Sequence, residues 1–253
     1  MARERADLVL VALGLAPSRA KAREMISAGE VSYTDGRRVS KASQLIEVDA
    51  ELRVTGDTLR YVSRGGHKLA AALKYFGLPV SGSVCLDVGA STGGFTDCLL
   101  QHGARRVFAV DVGRGQLASP LCSDPRVINL ENTDIRGLCA PEIDVACNLV
   151  TIDVSFISLR LVLPALSSMV KPDAHILALV KPQFEVGLKG LGKGGIVRSR
   201  ERRLAVLEEI VEFSKEQGFQ RLETMESPIV GSKGNREFFL TAIFPPISGG
   251  DIV

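Results

Sequence analysis

A chain of 253 residues, 45% hydrophobic and 24% charged, has the composition of an ordinary globular protein, with room for a main domain and a smaller companion. Its net charge of +2 is too small to argue for a nucleic-acid partner from the total alone. No run reaches the roughly 18 uncharged residues of a membrane span. The five cysteines include no CxxC pair and the three histidines are scattered, so no disulfide framework and no metal site is expected. The opening MARERADLVLVALG lacks a signal-peptide pattern, and a cytoplasmic location is expected.

Residues 1–60 read as a small α+β module. ERADLVLVALG has apolar residues at helical spacing, and SRAKAREMISAG predicts a second helix with Ser18 as N-cap and Gly29 just past its end. Asp35-Gly36 in VSYTDGRRVS is a hairpin signal between β-prone arms. QLIEVD and ELRVTG are expected to pair as two further strands. The first 41 residues carry eight basic against five acidic side chains, and Arg19 and Arg23 share a helix face at i,i+4. On charge alone this is as well read as a solvated face.

After a short linker at 61–64, the pattern from residue 65 alternates. SRGGHKLAAALKYFG predicts a helix. Strands are expected at 84–89, 106–113, 127–131, 148–155, 175–181, 221–227 and 236–244, with helices at 158–170 and 200–218 among those between them. Such alternation defines a doubly wound, Rossmann-like α/β domain over 65–246, mostly parallel, with the last strand antiparallel and a tail at 247–253. GLKGLGKGGIV (187–197) is expected to be a mobile loop without secondary structure.

LDVGASTGGFTDCLL is a strand, a glycine-rich turn and a helix start, with Asp87, Gly89, Ser91, Gly93 and Gly94 in the turn region. The dinucleotide fingerprint GxGxxG fails at Ser91, and the phosphate loop fails for want of a Lys-Ser/Thr pair. An acid at the end of the second strand, Asp111, is placed to bind ribose hydroxyls. This arrangement resembles S-adenosylmethionine-dependent methyltransferases, and the resemblance implies Asp111 on the cofactor ribose and Asp134, in ENTDIRG, on the adenine side. A nicotinamide enzyme is the competing reading.

Asp153 and Lys181 end neighbouring strands, where an open parallel sheet binds ligands. Lys68 on the preceding helix and Glu237 at the last strand complete an order Lys, Asp, Lys, Glu, although each alone reads as a surface charge. That order resembles the tetrad of FtsJ-like ribose 2′-O-methyltransferases. SRGGHKL, LDVGASTGGFTD, DVGRGQL, DVSFISL, LVKPQFEVG and GNREFF resemble the TlyA group over nearly the whole chain. The resemblance implies catalysis by Lys68, Asp153, Lys181 and Glu237 on a cytidine 2′-hydroxyl of ribosomal RNA. Lys181 is the candidate base, aided by desolvation and by the like charge of Lys68, while the carboxylates oppose its deprotonation. A role in positioning the oxygen stays open.

RADLVLVALGLAPSRAKAREMISAGEVSYTDG resembles the S4 RNA-binding domain, implying that Arg5, Arg19, Lys21, Arg23 and Lys41 grip the RNA backbone. Structured RNA within ribosomal subunits is the partner this implies. The haemolysin label of some TlyA relatives offers a cytolysin as a rival function, against which the lack of a membrane-inserting segment weighs. A non-catalytic assembly factor is a third reading, opposed by the intact tetrad and glycine loop.

Overall fold

The structure, a computed structural model, describes residues 2–55, 60–138, 142–187, 191–192, 194–231 and 234–245. Cys139, the 247–253 tail and part of the 187–197 loop lie outside them. The chain divides into two compact units, Met1–Arg64 and Gly65–Val253.

In the first unit, β1 (Arg3–Arg5) runs into α1 (Ala6–Ala12), followed by α2 (Arg19–Ser27), β2 (Val31–Tyr33), β3 (Leu45–Glu47) and β4 (Leu52–Val54). The Ser18 side chain accepts a hydrogen bond from Lys21 N, satisfying an amide that the first turn of α2 leaves unpaired. The helix stops before Gly29, whose φ of +73° closes it without steric cost. Ala6, Val9 and Leu10 of α1 meet Ala22, Met25 and Ile26 of α2 in a core with Val31 and Ile46. Each large side chain there contributes about 1.5–3 kcal/mol.

The Asp35-Gly36 turn forms, with Tyr33 N donating to Arg37 O and Val39 N to Val31 O. The expected pairing of QLIEVD with ELRVTG does not form. β3 pairs antiparallel with β1, Arg3 opposite Glu47, while β4 pairs with β2, Val31 opposite Val54. Three-residue strands hold too little periodicity to specify their partners, and the packing of α1 and α2 decides.

The second unit runs α3 (Arg64–Phe76, reaching back one residue), β5 (Val84–Val88), α4 (Gly94–Gln101), β6 (Arg106–Val110), α5 (Ser119–Cys122), β7 (Val127–Leu130), β8 (Cys147–Ile152), α6 (Leu159–Val162), β9 (Val170–Val180), α7 (Pro182–Glu185), α8 (Arg200–Glu216), β10 (Gln220–Glu226) and β11 (Phe238–Ile243). Seven strands form one sheet in the order β10-β11-β9-β8-β5-β6-β7. β5 to β9 are parallel, and β11 is inserted antiparallel between β9 and β10. β5 has β6 on one side and β8 on the other, so strand order reverses there and a crevice opens at the carboxyl ends.

Two expectations need correction. The helix expected at 158–170 breaks into α6 and a 3₁₀ segment, Leu163–Ser168. Pro164 has no N–H to donate and its ring crowds the preceding turn, so the α-ladder cannot pass it. The 187–197 loop is not wholly without structure: Gly192 N donates to Ile196 O in a β-bridge, and Gly195 N donates to Gly192 O.

Candidate active site

The carboxyl edge is assembled by register. Val88 lies opposite Ile152, so Gly89 and Asp153 leave the sheet side by side, and Asp153 N donates to Val88 O at 2.8 Å. Phe238 lies opposite Val180 in the antiparallel pair, which sets Glu237 beside Lys181 at that edge. Gly89 has φ +85°, and a Cβ there would stand 2.7 Å from the Asp153 carbonyl oxygen. Only glycine lets these two strand ends approach so closely.

The four polar residues singled out from the sequence form two ion pairs. Lys68 Nζ donates to Glu237 Oε2 at 2.6 Å, with side chains only 11% and 2% exposed. Lys181 Nζ stands 2.7 Å from Asp153 Oδ1 and donates to Ser155 Oγ at 2.9 Å. The Asp153 contact is close but not aligned as a hydrogen bond, and Oδ1 has no hydrogen-bond donor among the described residues. Gln183, two residues past Lys181, donates from Nε2 to Glu237 Oε1 at 3.3 Å.

Beside them lies a cavity of about 470 Å³, walled by Val88, Val110 and Ile135 and edged by Gly89, Ser91, Asp111, Asp134 and Asp153. Asp111 joins two loops: Oδ2 accepts Ser91 N at 2.8 Å and Oδ1 accepts Gly113 N at 2.7 Å. Asp134 caps the short turn after β7 and is gripped by Arg136, whose guanidinium holds its carboxyl down at about 2. Gly93, with φ +92°, precedes α4, and Gly94 opens that helix; neither lines the cavity.

Asp87 does not line the cavity either. It is fully covered under the loop and accepts hydroxyls from Thr96 (2.7 Å) and Thr151 (3.0 Å). Burial raises its carboxyl to about 7, against the pull of those hydrogen bonds. Its place is to tie α4 and β8 to the end of β5.

Three further residues went unnoticed in the sequence. Glu185 accepts Ser158 Oγ at 2.5 Å and Leu159 N at 2.9 Å, clamping the loop after β8, and burial raises its carboxyl. Its position within LVKPQFEVG was the available signal. Ser155 takes the Lys181 ammonium. Phe156 is 91% exposed with φ +65°, lines the cavity, and lies 4.9 Å from the Phe184 ring. A bulky residue in that backbone region is uncommon.

In the first unit Asp7, with no exposed surface, gathers three of the expected RNA-binding arginines. Arg5 Nε lies 2.9 Å, Arg23 Nε 3.1 Å and Arg19 Nη2 3.3 Å from its oxygens. These cations hold its carboxyl far below the ordinary range. Lys41 is exposed, but Lys21 is only 6% exposed and donates to Tyr61 O at 2.9 Å. Its ammonium is engaged within the fold.

This combination of sheet, crevice and edge residues is that of a Rossmann-like methyltransferase. The FtsJ-like methyltransferase family matches residues 61–244, and the S4 domain matches residues 4–52. The 16S/23S rRNA (cytidine-2′-O)-methyltransferase TlyA of Mycobacterium tuberculosis is 46% identical over 94% of this chain and 89% of its own. Hemolysin A of Brachyspira hyodysenteriae is 38% identical, covering 89% and 93%. A solved structure from Streptococcus thermophilus is 41% identical, with a TM-score of 0.76 over 97% of this chain and 90% of its own. An S-adenosylmethionine-dependent methyltransferase from Mesorhizobium loti, 15% identical, shares the fold with a TM-score of 0.51 over 70% of this chain and 98% of its own. The chain belongs to the TlyA family of FtsJ-like methyltransferases that carry an S4 domain. Among the described residues no helix is long and apolar enough to cross a membrane, and no cluster of His, Cys, Asp and Glu could hold a metal ion.

Proposed function

We propose that the chain transfers a methyl group from S-adenosylmethionine to the 2′-hydroxyl of a cytidine in ribosomal RNA, within ribosomal subunits in the cytoplasm. The observation that supports this most is the convergence of Lys68, Asp153, Lys181 and Glu237 into two ion pairs at the carboxyl edge, with Asp153 shared by the cavity. We assign residues 1–60 to the S4-like domain, 61–64 to the linker and 65–246 to the methyltransferase domain.

The cavity suits the cofactor. Apolar walls fit a purine, and the volume is that of a small-molecule site. Each Asp111 oxygen keeps acceptor capacity for a ribose hydroxyl beyond its one amide. Asp134 is assigned to the adenine end, and Gly89 lines the cavity where the ends of β5 and β8 meet. Bound there, the cofactor supplies an electrophilic methyl on a sulfonium.

An ammonium has three N–H groups. Lys181 directs one to Ser155 and lies against Asp153 without a hydrogen bond, leaving N–H groups for the ribose oxygen. In this reading Lys181 orients the nucleophile, and Asp153 receives the proton that the hydroxyl sheds as the oxygen–carbon bond forms. Glu237 fixes Lys68 beside them. The arginines around Asp7, with Lys41, hold the RNA backbone.

Digestion of ribosomal RNA to nucleosides after incubation with the chain and labelled cofactor tests the reading. It predicts label in 2′-O-methylcytidine; label confined to a base methyl group contradicts it.

A further inference from the structure

Asp7 is an odd residue to find at the centre of a surface meant for RNA. A carboxylate repels phosphate, yet this one sits under three of the arginines assigned to that surface. Its two oxygens take four N–H groups: Arg5 Nε (2.9 Å) on Oδ1, and Arg5 Nη2 (3.2 Å), Arg19 Nη2 (3.3 Å) and Arg23 Nε (3.1 Å) on Oδ2. The number equals the roughly four acceptor sites of a carboxylate, with three of the four N–H groups crowded on Oδ2. The Asp7 side chain has no exposed surface, while those of Arg5, Arg19 and Arg23 are 37%, 49% and 54% exposed. Asp7 is thus covered by the arginines, and their outer edges face solvent.

The chain segments involved pack on one another. Arg5 ends β1, Asp7 lies in the first turn of α1, and Arg19 and Arg23 are one turn apart on α2, which packs on α1 through the core. A guanidinium has five N–H groups in a fixed fork, so each arginine retains donors after its contact with Asp7. One negative against three positive charges leaves the cluster at +2. Holding three long side chains in place before binding removes much of the rotamer entropy that each would otherwise lose on contact.

We propose that Asp7 is a positioning residue that assembles Arg5, Arg19 and Arg23 into one preformed phosphate-binding site for the backbone of the RNA substrate. This deepens the reading of the first unit as an RNA-gripping module and rests on it. The alternative is that Asp7 is only a staple between α1 and α2, with the arginines acting as independent charges.

The two accounts differ in sign. Asp7→Asn removes a negative charge, so independent arginines predict tighter binding. A positioning role predicts weaker binding, because the arginines lose their common anchor. Binding of the full chain to purified ribosomal RNA, measured from low to high salt, reads this directly, with thermal melting confirming the fold. We expect Asp7→Asn to weaken binding about tenfold and to lower the slope of log K against log salt by about 1 to 2, corresponding to lost phosphate contacts. Asp7→Glu is the second variant. It keeps the net charge and moves the anchor by one methylene, so weaker binding by this variant also supports positioning if Asp7→Asn does not fold. Binding by the folded variants equal to or tighter than that of the unaltered chain overturns the proposal. An Arg23→Ala arm separates the failures: if it binds less well while the Asp7 variants do not, only the positioning role falls. If it too binds unchanged, the RNA-binding reading of this face falls.

Discussion

The Lys68–Glu237 pair allows stability and catalysis to be separated. Both side chains are nearly covered, and Nζ lies 2.6 Å from Oε2. Glu237→Ala removes the carboxylate and leaves a covered ammonium without its counter-ion, which costs about 3–5 kcal/mol. For a unit spanning Gly65–Val253, about 2–4 °C of melting temperature per kcal/mol gives a fall of roughly 6–20 °C. Lys68→Met costs a similar amount, because among the described residues only Gln183, at 3.3 Å, then donates to the Glu237 carboxylate. The double variant Lys68→Met/Glu237→Leu removes both charges together, and replacing a buried pair by apolar groups is often neutral or stabilising. Urea unfolding of the four proteins should therefore give a coupling energy of about 3 kcal/mol or more. Methyl transfer to ribosomal RNA should be lost in all three variants, including the stable double one. Additive destabilisation would refute the energetic argument, and a double variant that still transfers methyl groups would refute the catalytic one.

Two other substitutions probe the glycine loop and its support. Burial raises the Asp87 carboxyl from 3.8 to about 7, so between those pH values the folded chain holds a proton that the unfolded chain has released. Stability from this group is therefore lost as pH rises through that window, and levels off above it. Asp87→Asn should abolish that slope in urea unfolding and raise stability at pH 8 by up to about 4 kcal/mol; parallel pH profiles for the two proteins would contradict this. Gly89→Ala combines a positive φ with a Cβ 2.7 Å from the Asp153 carbonyl, and should weaken S-adenosylmethionine binding in calorimetry by tenfold or more, by order of magnitude. An unchanged Kd would mean that β5 and β8 need not meet so closely.

The centre of the sheet was legible because its strands are covered on both faces: LALV reads as a continuous apolar run bounded by charge and proline, and VCLDV as one broken only by Asp87. The glycine loop was legible for a related reason, since backbone geometry there demands a particular residue. The edge pairings of the first unit were not, because three-residue strands carry no period. Pro164 was visible in its helix pattern and was the signal for the break that occurs there. Asp87 shows why a motif acid is hard to place: its spacing fits the loop, but the hydroxyls of Thr96 and Thr151 draw it beneath the loop rather than into the cavity. Counting charges recorded Asp7 as one negative among eight basic residues, whereas its meaning lies in three contacts, two of them across 12 and 16 residues of chain. The Lys21 contact was hidden for the complementary reason, since nothing in its own helix turn reveals the Tyr61 carbonyl 40 residues away.

Transfer depends most on Lys181 holding the reacting oxygen at the edge of the sheet. Single-turnover transfer of labelled methyl from S-adenosylmethionine to ribosomal subunits, with Lys181→Ala beside the unaltered chain, tests it most directly. The transfer rate should fall by about 100-fold or more, with cofactor affinity unchanged within about twofold. Transfer by Lys181→Ala at the rate of the unaltered chain would contradict it.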